Sequence, residues 1–568
     1  MKKILALVLA LCMMLCGVAV AETYTATVEG HNGNVTVEVA IEDGKITAVN
    51  VTEHSETTGI SDKPIATIPA AIVENQSVAI DAVAGASVTS GAILSAVKDC
   101  IAQAGLNVAD YEVAVEEKAV EVTDETLTAD VVIIGAGGAG LAAAIEADKA
   151  GAKVIIVEKM AAAGGNTLLS GGYYNAVDPT RQQLSGVEDS VEQHIQQTYE
   201  GGDKVANLEL VTKLCSEATE NMLWLESLGM KFNMGITTAT GAIWPRSHKA
   251  VEPNGEGYIH VLLDALEGTD VEILYETKAT EILMNEGRAC GIKAESANVN
   301  YTLEATKGVI IASGGFGSNI EMRQAYNTIW PTLDESVRSS NTIAATGDGI
   351  VMAQAVGANL VGMEYIQLHP LGNPETGNFL GAVSGDVETY LQVNLEGKRY
   401  IAEDSRRDEL CKAALQQTDG LMWQLTSGES LAGEYSVMLG YGYKADSVEE
   451  LAAQINIDPA VLVETLNTYN AGVDAGKDEL GRGILTYKFD TAPYYATLRC
   501  VTVHHTMGGI EINTEAQVLD AEGNVIPALY AAGEVTGGIH GGNRLGGNAL
   551  ADAIVFGRTA GQNAANAK

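Results

Sequence analysis

The sequence predicts an α/β fold built on a parallel sheet, preceded by a small α+β domain, and three observations carry that prediction. From Ala129 to Gly140 an apolar, β-branched run ends in closely spaced glycines; it passes into the alanine-rich stretch Leu141–Ala150 and then into a second apolar run, Val154–Val157, closed by Glu158. That order reads as buried strand, crossover helix and second strand. Far downstream, Val309–Gly317 and Leu529–Val535 repeat the pattern of an apolar strand ending in glycine, as further strands of one sheet would. Ahead of all these, polar and apolar residues alternate from Thr23 to Val51 around Asn32-Gly33 and Asp43-Gly44, which predicts a three-stranded meander with tight turns.

The glycine spacing has a physical cause. Gly135, Gly137 and Gly140 keep the form Gly-x-Gly-x-x-Gly. The first permits a tight turn, the second lets the backbone approach a pyrophosphate, and the third lets helix and strand pack closely. Gly138 and Ala139, within the same turn, are expected to bind the ligand too, and the amino end of the helix that follows stabilises phosphate charge. Glu158, with Lys159 beside it, stands about 20 residues on, where an acidic side chain accepts hydrogen bonds from an adenosine ribose. An ADP-containing ligand on a Rossmann-like half is the expectation.

With 568 residues, 46% hydrophobic and 19% charged, the chain has room for two to four domains. Aromatics are only 5% and glycines number 62, so the cores are expected to be aliphatic and small-residue, among many turns. A formal charge of −40 argues against nucleic acid and anionic lipid as partners, and an anionic substrate would need a locally basic pocket. Residues 1–21 combine Lys2 and Lys3, an apolar run from Ile4 to Val20, and Ala19-Val20-Ala21, the form of a cleavable secretory signal; a secreted, extracytoplasmic protein is expected, with a lipid anchor on Cys16 as the poorer alternative. No other stretch is long and apolar enough to span a bilayer. Of seven cysteines, Cys100, Cys215, Cys290, Cys411 and Cys500 lie beyond that leader, too scattered for a disulfide framework. No Cys-x-x-Cys-His occurs, and neither a haem, an iron–sulfur cluster nor another metal site is expected.

In the small domain, helices are predicted over Ile68–Glu74 and Gly91–Ala104, the second with Ile93, Val97 and Ile101 at helical spacing. The loop between them runs from Asp81 through Gly85, Ala86 and Ser87 to Thr89 and Ser90. It resembles the flavinylation motif of FMN-binding domains, Asp-x-x-(Ser/Thr)-Gly-Ala-(Ser/Thr), as does the upstream group His54, Glu56, Thr57 and Gly59. The resemblance implies FMN joined through its phosphate to Ser87 by a flavin transferase, with Thr89 as a second possible acceptor; Ala84 departs from the pattern. Read without the resemblance, Ser87 or Thr89 caps the following helix. The Glu- and Val-rich segment 111–128 reads as a linker.

Past Glu158, Gly164, Gly165, Asn166, Thr167, Ser170, Gly171 and Gly172 form a polar glycine loop, Gly315 ends the third strand, Asp348 opens a helix, and Glu534 follows the last strand. Asn543, Arg544, Gly546, Gly547, Asn548, Ala549 and Leu550 precede a final helix. In this order the motifs resemble the flavoprotein subunits of fumarate reductases and succinate dehydrogenases, above all the soluble 2-enoate reductases related to fumarate and urocanate reductases. The resemblance runs from Ala129 to the end and implies non-covalent FAD held by these loops. It also implies a substrate site of His369, Arg407, His504 and Arg544: His504 and Arg544 hold a carboxylate, hydride passes from FAD N5 to the β-carbon, and Arg407 gives a proton to the α-carbon. Guanidinium offers a carboxylate a planar bidentate match.

The domains implied are a signal peptide (1–21), an FMN-binding domain (22–110), a linker (111–128), an FAD-binding domain in two parts (129–363 and 504–568) and an inserted α+β capping, substrate domain (364–503). His504 and Arg544 are thereby placed on the FAD side. One loop departs from the fumarate pattern: where Thr-Glu-x-x-Arg is expected, the chain has Leu380–Asp386. An enoate other than fumarate is therefore expected, with Asp386 or Glu388 as replacement proton relay. FMN is the expected entry for electrons from a membrane or extracellular donor, in a terminal step of anaerobic respiration. The rival readings are a dehydrogenase oxidising a saturated acid, amino acid or steroid, and a non-catalytic extracellular flavin electron carrier.

Overall fold

The computed structural model describes residues 21–30, 33–56, 61–83, 86–115 and 122–567. The signal peptide up to Val20, Thr57 and Gly59, Ala84 and Gly85, the Ser87 side chain and the middle of the expected linker lie outside the described residues. The chain forms two compact units, parting between Glu121 and Val122.

In the first unit β1 (Glu22–Glu29), β2 (Asn34–Glu42) and β3 (Lys45–Glu53) form the expected antiparallel meander, in that order. Asp43 and Gly44 both take positive φ, 51° and 75°, the two-residue turn whose twist suits a hairpin. Val35, Val37, Val39 and Ile41 alternate onto the buried face of β2 and pack in one core with α1 (Asp62–Asn75) and α2 (Ser87–Gln103). Both helices begin earlier than the sequence pattern indicates. In α1, Pro64 stands in the first turn, where a missing N–H costs no helical bond, and Pro69 is buried in the interior. In α2 the expected loop Ser87–Ser90 is the first helical turn, because Ser90 Oγ and N–H both bond to Ala86 O.

In the second unit the chain runs through β4 (Thr123–Ile134), α3 (Gly138–Lys149), β5 (Val154–Val157), α4 (Gly165–Leu169), β6 (Glu272–Leu274), β7 (Lys278–Asn285), β8 (Arg288–Glu295), β9 (Val299–Ile311) and α5 (Asp348–Ala355). An inserted sheet follows: β10 (Ile366–Gly372), β11 (Leu391–Val393), α6 (Arg407–Ala414), β12 (Leu421–Ser427), β13 (Gly442–Ala445) and β14 (Tyr494–Thr506). The chain then returns as β15 (Gln517–Leu519), β16 (Val525–Ala531) and α7 (Asn548–Ala565). The main sheet has the order β15-β16-β9-β4-β5-β6, with β4 parallel to both neighbours and β8 and β7 added antiparallel beyond β9. Val131–Ile134 and Val309–Ile311 are buried on both faces, as central parallel strands are. The alanines of α3 let it meet α7 backbone to backbone: a Cβ on Gly557 or Gly561 would run into the carbonyls of Ala139 or Ala143.

Two expected boundaries shift. Thr123–Ala129 pair in parallel with Val299–Ala305, so the second half of the supposed linker is strand, its outer side chains exposed and hence polar. The inserted sheet, ordered β10-β14-β12-β11 with β13 also on β14, has its own core around Trp423, Leu425, Leu462 and Phe489. Its long strand β14 crosses the boundary drawn at 503/504, and His504 therefore sits on the inserted sheet, not on the FAD side. Among the described residues no helix is long and apolar enough to cross a membrane.

Two buried histidines set an acid limit on this unit. His194 Nε2 lies 3.2 Å from Asn548 Oδ1, and burial holds its pKa down to about 3. His248 Nδ1 lies 3.2 Å from Tyr174 O, and burial lowers its pKa to about 4. An unfolded histidine protonates near 6.5, so the stability these neutral rings carry is complete above about pH 6.5 and is lost as pH falls towards 4. At about 1.4 kcal/mol per pH unit per ring, the two together should cost about 4 kcal/mol between pH 7 and pH 5. Urea unfolding at both pH values measures it, and a wild type whose loss matches that of His194→Gln/His248→Gln would overturn the assignment.

Candidate functional site

The carboxyl ends of β4, β5, β9 and β16 meet at one cavity, where open α/β sheets bind ligands. Its space, open mouth included, is about 1430 Å³. Gly135 takes φ +104°, and a Cβ there would lie within 2.5 Å of Ala312 O. At Gly137 a Cβ would meet nothing nearer than Gly164 O at 3.8 Å, which leaves the wall of the cradle open. Glu158, buried, accepts from Ala136 N at 2.9 Å, tying the acid to the glycine turn. Thr167 Oγ1 accepts from Gly138 N at 3.1 Å. Asn166 donates to Glu534 Oε2 at 3.0 Å, and burial raises the Glu534 carboxyl. Lys159 Nζ lies 2.7 Å from Asp348 Oδ2.

Of the residues expected to bind a cofactor, Gly135, Gly137, Gly138, Ala139, Glu158, Lys159, Gly165, Asn166, Thr167, Gly171, Asp348, Glu534, Arg544, Ala549 and Leu550 line this cavity. Five do not. Gly140 stands behind the turn, where a Cβ would strike the Gly135 carbonyl. Gly164 donates to Ala136 O at 2.9 Å, and Gly172 O accepts from Ala250 N at 3.1 Å, so both join loops to one another. Gly315 leaves room for Thr506 Oγ1. The Asn548 side chain is consumed, with Oδ1 accepting from Asn175 at 2.8 Å and Nδ2 donating to Thr198 at 3.2 Å.

One end of the cavity is cationic. Arg407, the first residue of α6, donates through Nε to Thr240 O at 2.8 Å and through Nη1 to Gln367 Oε1 at 3.0 Å. Gln367 in turn donates to Arg544 O at 2.8 Å. Both arginines are buried, and among the described residues neither has an ion-pair partner and Arg544 Nε has no hydrogen-bond partner. Burial lowers the Arg544 pKa to about 10; burial and the neighbouring Arg544 together press Arg407 well down.

His504 reaches this end through a β-bulge. Gln367 pairs with His505 and Leu368 with Val503, which leaves His504 as the extra residue, re-aimed out of the ladder. Its Nδ1 lies 2.9 Å from Ser340 Oγ. His369 does not line the cavity: its Nδ1 accepts from Leu371 N at 3.2 Å, and its ring packs on His504 and Phe379, centroids 5.0 and 4.6 Å away. Burial, then the charges of Arg407 and its neighbours, hold both imidazoles neutral. Sequence reasoning did not single out Ser313, Ser340, His505 and Tyr173 on the wall, or Thr240 and Gln367 behind Arg407; Ser313 lies within a named motif stretch and Tyr173, His505 and Gln367 lie beside named motif residues, while Ser340 and Thr240 carried no signal. Glu388 accepts from Thr237 Oγ1 at 2.9 Å and does not line the cavity.

The sheet, the glycine turn and the acid that closes the second strand are those of a dinucleotide-binding fold. Residues 130–550 match the family described as FAD binding domain, and residues 30–102 that described as FMN-binding domain. The chain belongs to the fumarate reductase and succinate dehydrogenase flavoprotein family, with an N-terminal FMN-binding domain. It is 36% identical to the urocanate reductase of Eggerthella lenta over 96% of this chain and 92% of that protein. It is 36% identical to an NADH:acrylate oxidoreductase of Vibrio harveyi, over 96% of this chain but only 61% of that protein's length. The open conformation of a flavocytochrome c3 fumarate reductase superposes with a TM-score of 0.62 at 37% identity, covering 77% of this chain and 78% of the other. The residues present fit FAD: the cradle at Gly137 is open, and Ser313 Oγ on the cavity wall is buried without a hydrogen-bond partner.

Proposed function

We propose that this protein reduces an α,β-unsaturated carboxylate. The observation that carries the reading is the pair of buried guanidiniums, Arg407 and Arg544, facing one cavity with no ion-pair partner among the described residues. Burying uncompensated charge costs several kcal/mol, and an anionic ligand removes that cost. The cavity-lining residues named above would hold FAD, which when bound supplies hydride from N5 to the β-carbon. Arg544 and the neutral imidazole of His504 fix the carboxylate, and Arg407 stands as donor to the α-carbon. Its lowered pKa brings it closer to the range in which a general acid works, while the cationic pair stabilises charge developing next to the carboxylate. His369 acts through its packing on His504.

The substrate is read as an enoate other than fumarate. The segment 380–388 brings no cation; its charged groups are Asp386 and Glu388, which disfavour a second carboxylate at that end. Relatives are named for acrylate and urocanate, both monocarboxylates, and others for fumarate, so the loop rather than the relatives carries this part of the reading. In this reading the protein is exported and FMN, bound covalently at Ser87, passes electrons from an external donor in anaerobic respiration. The test is oxidation of reduced methyl viologen by flavin-loaded enzyme with fumarate, acrylate, methacrylate, cinnamate and urocanate. Turnover of a monocarboxylate without fumarate supports the reading; fumarate as best substrate rejects the second half of it, and silence on all five rejects the whole.

The attachment has its own test. Thr89 is buried and its hydroxyl bonds to Glu56, which favours Ser87. Co-produced with a flavin transferase, Ser87→Ala should lose the flavin fluorescence that survives denaturing electrophoresis, and Thr89→Ala should keep it. The reverse pattern would move the attachment to Thr89.

A further inference from the structure

Reducing a C=C bond takes one hydride and one proton, and Arg407 cannot be refilled through the partners it has. Its Nε bonds to a backbone carbonyl and its Nη1 to an amide oxygen, Thr240 O and Gln367 Oε1, neither of which carries a proton to give. A different chain of groups connects the cavity to water. Tyr173 lines the cavity, and its hydroxyl donates to Asp386 Oδ1 at 2.8 Å. Asp386 Oδ2 lies 3.1 Å from Lys249 Nζ, whose side chain is 37% exposed. The arrangement is built by the backbone on both sides. Tyr173 and Lys249 are cross-strand partners in a short ribbon, and Asp386 is bridged to Ala239. Gly385 has no side chain because a Cβ would crowd the Tyr173 hydroxyl at 2.6 Å. The neighbouring Gly385 carbonyl accepts from Thr240 N at 3.3 Å, so the residue that orients Arg407 also anchors this loop.

We infer that Lys249, Asp386 and Tyr173 are the route by which the proton ending on the α-carbon of the saturated acid enters the cavity. The inference rests on the enoate-reductase reading. Lys249 gives a proton to the Asp386 carboxylate and regains one from water; Asp386 passes it to Tyr173 Oη as the phenol gives its own proton, across the cavity that both residues line, to the Arg407 side chain that has donated to the α-carbon. One proton enters per turnover, no electron moves along the chain, and every member returns to its starting state. Of the two acids expected from the sequence, this selects Asp386 and leaves Glu388 out.

The experiment compares wild type with Tyr173→Phe, Asp386→Asn, Asp386→Glu and Lys249→Met, all flavin-loaded. It measures turnover with reduced viologen in H2O and D2O, and affinity for the unsaturated acid by perturbation of the oxidised flavin spectrum. Tyr173→Phe and Asp386→Asn are expected to lose about 10- to 100-fold in kcat, with affinity within about threefold and an enlarged solvent isotope effect; Asp386→Glu recovers most of the loss. The exposed Lys249→Met, which leaves the core untouched, should lose a smaller factor with the same isotope signature. Unchanged kcat in Tyr173→Phe overturns the route and leaves the reductase reading standing. A loss of affinity with kcat retained makes Tyr173 a binding residue and also overturns it. A wild type silent on every enoate removes the reading and the route together.

Discussion

Arg407→Gln should lower enoate turnover by about 10³- to 10⁴-fold, since it removes both a general acid and half of the cationic pair. Gln keeps a donor near the position of Nε but carries no charge, so flavin content and folding should stay at wild-type levels. The same group carries the uncompensated charge and stands at the first residue of α6, where the helix dipole disfavours a cation. The chain thus spends stability to place Arg407 there, and Arg407→Gln should unfold at equal or higher urea concentration than wild type. Arg407→Lys keeps the charge but cannot bond to Thr240 O and Gln367 Oε1 in one plane, and it should fall between the two. Stopped-flow reoxidation of viologen with absorbance-matched flavin decides the matter. An Arg407→Gln enzyme with more than a tenth of wild-type turnover would take the proton and the charge away from this residue.

How far such a site can be read from sequence depends on which interactions build it. The glycine turn, Glu158 and the meander were legible because each answers to local geometry, a positive φ or a period of two. The strand at Thr123 was not. Its outer half has exposed, polar side chains, and what makes it a strand is pairing with residues 176 positions away. The bulge at His504 belongs to the same class, since an extra residue is defined only against the partner strand β10. Gly140, Gly164, Gly172, Gly315 and Asn548 belong to motifs whose other members line the cavity, yet they hold the loops that form it. A motif marks a turn, not which of its atoms face inward. The Tyr173–Asp386–Lys249 chain joins residues from three distant segments; the departure of its loop from the family pattern pointed to Asp386, but nothing in the sequence joined Tyr173 or Lys249 to it.

Replacing Glu403 by Gln should cost about 3–5 kcal/mol of stability, the scale of a broken buried ion pair. Glu403 has no exposed surface. It accepts from Arg399 Nε at 2.9 Å and Nη2 at 2.6 Å, from Arg482 Nη1 at 3.1 Å, and from Gln392 N at 3.2 Å. Arg399 also holds Asp478 at 2.6 Å, so two guanidiniums face two carboxylates with Tyr469 against both cations. Removing one carboxylate leaves a net buried charge. The consequence reaches the site from two directions. Glu403 lies four residues ahead of Arg407, in the turn that leads into α6, and Arg482 donates to Val387 O at 2.6 Å and Tyr390 O at 3.0 Å, in the segment that follows Asp386. Glu403→Gln should therefore reduce turnover as well as lower the urea midpoint, though no atom of Glu403 lines the cavity. The double variant Glu403→Leu/Arg482→Met removes one charge of each sign and should recover much of the lost stability. It should not recover turnover, because the carbonyls of Val387 and Tyr390 would still lack the guanidinium that holds them. If stability and turnover returned together, the network would matter only for its charge balance. If stability alone returns, the buried ions hold the walls of the cavity, which is why an interior that apolar residues could fill keeps four charges.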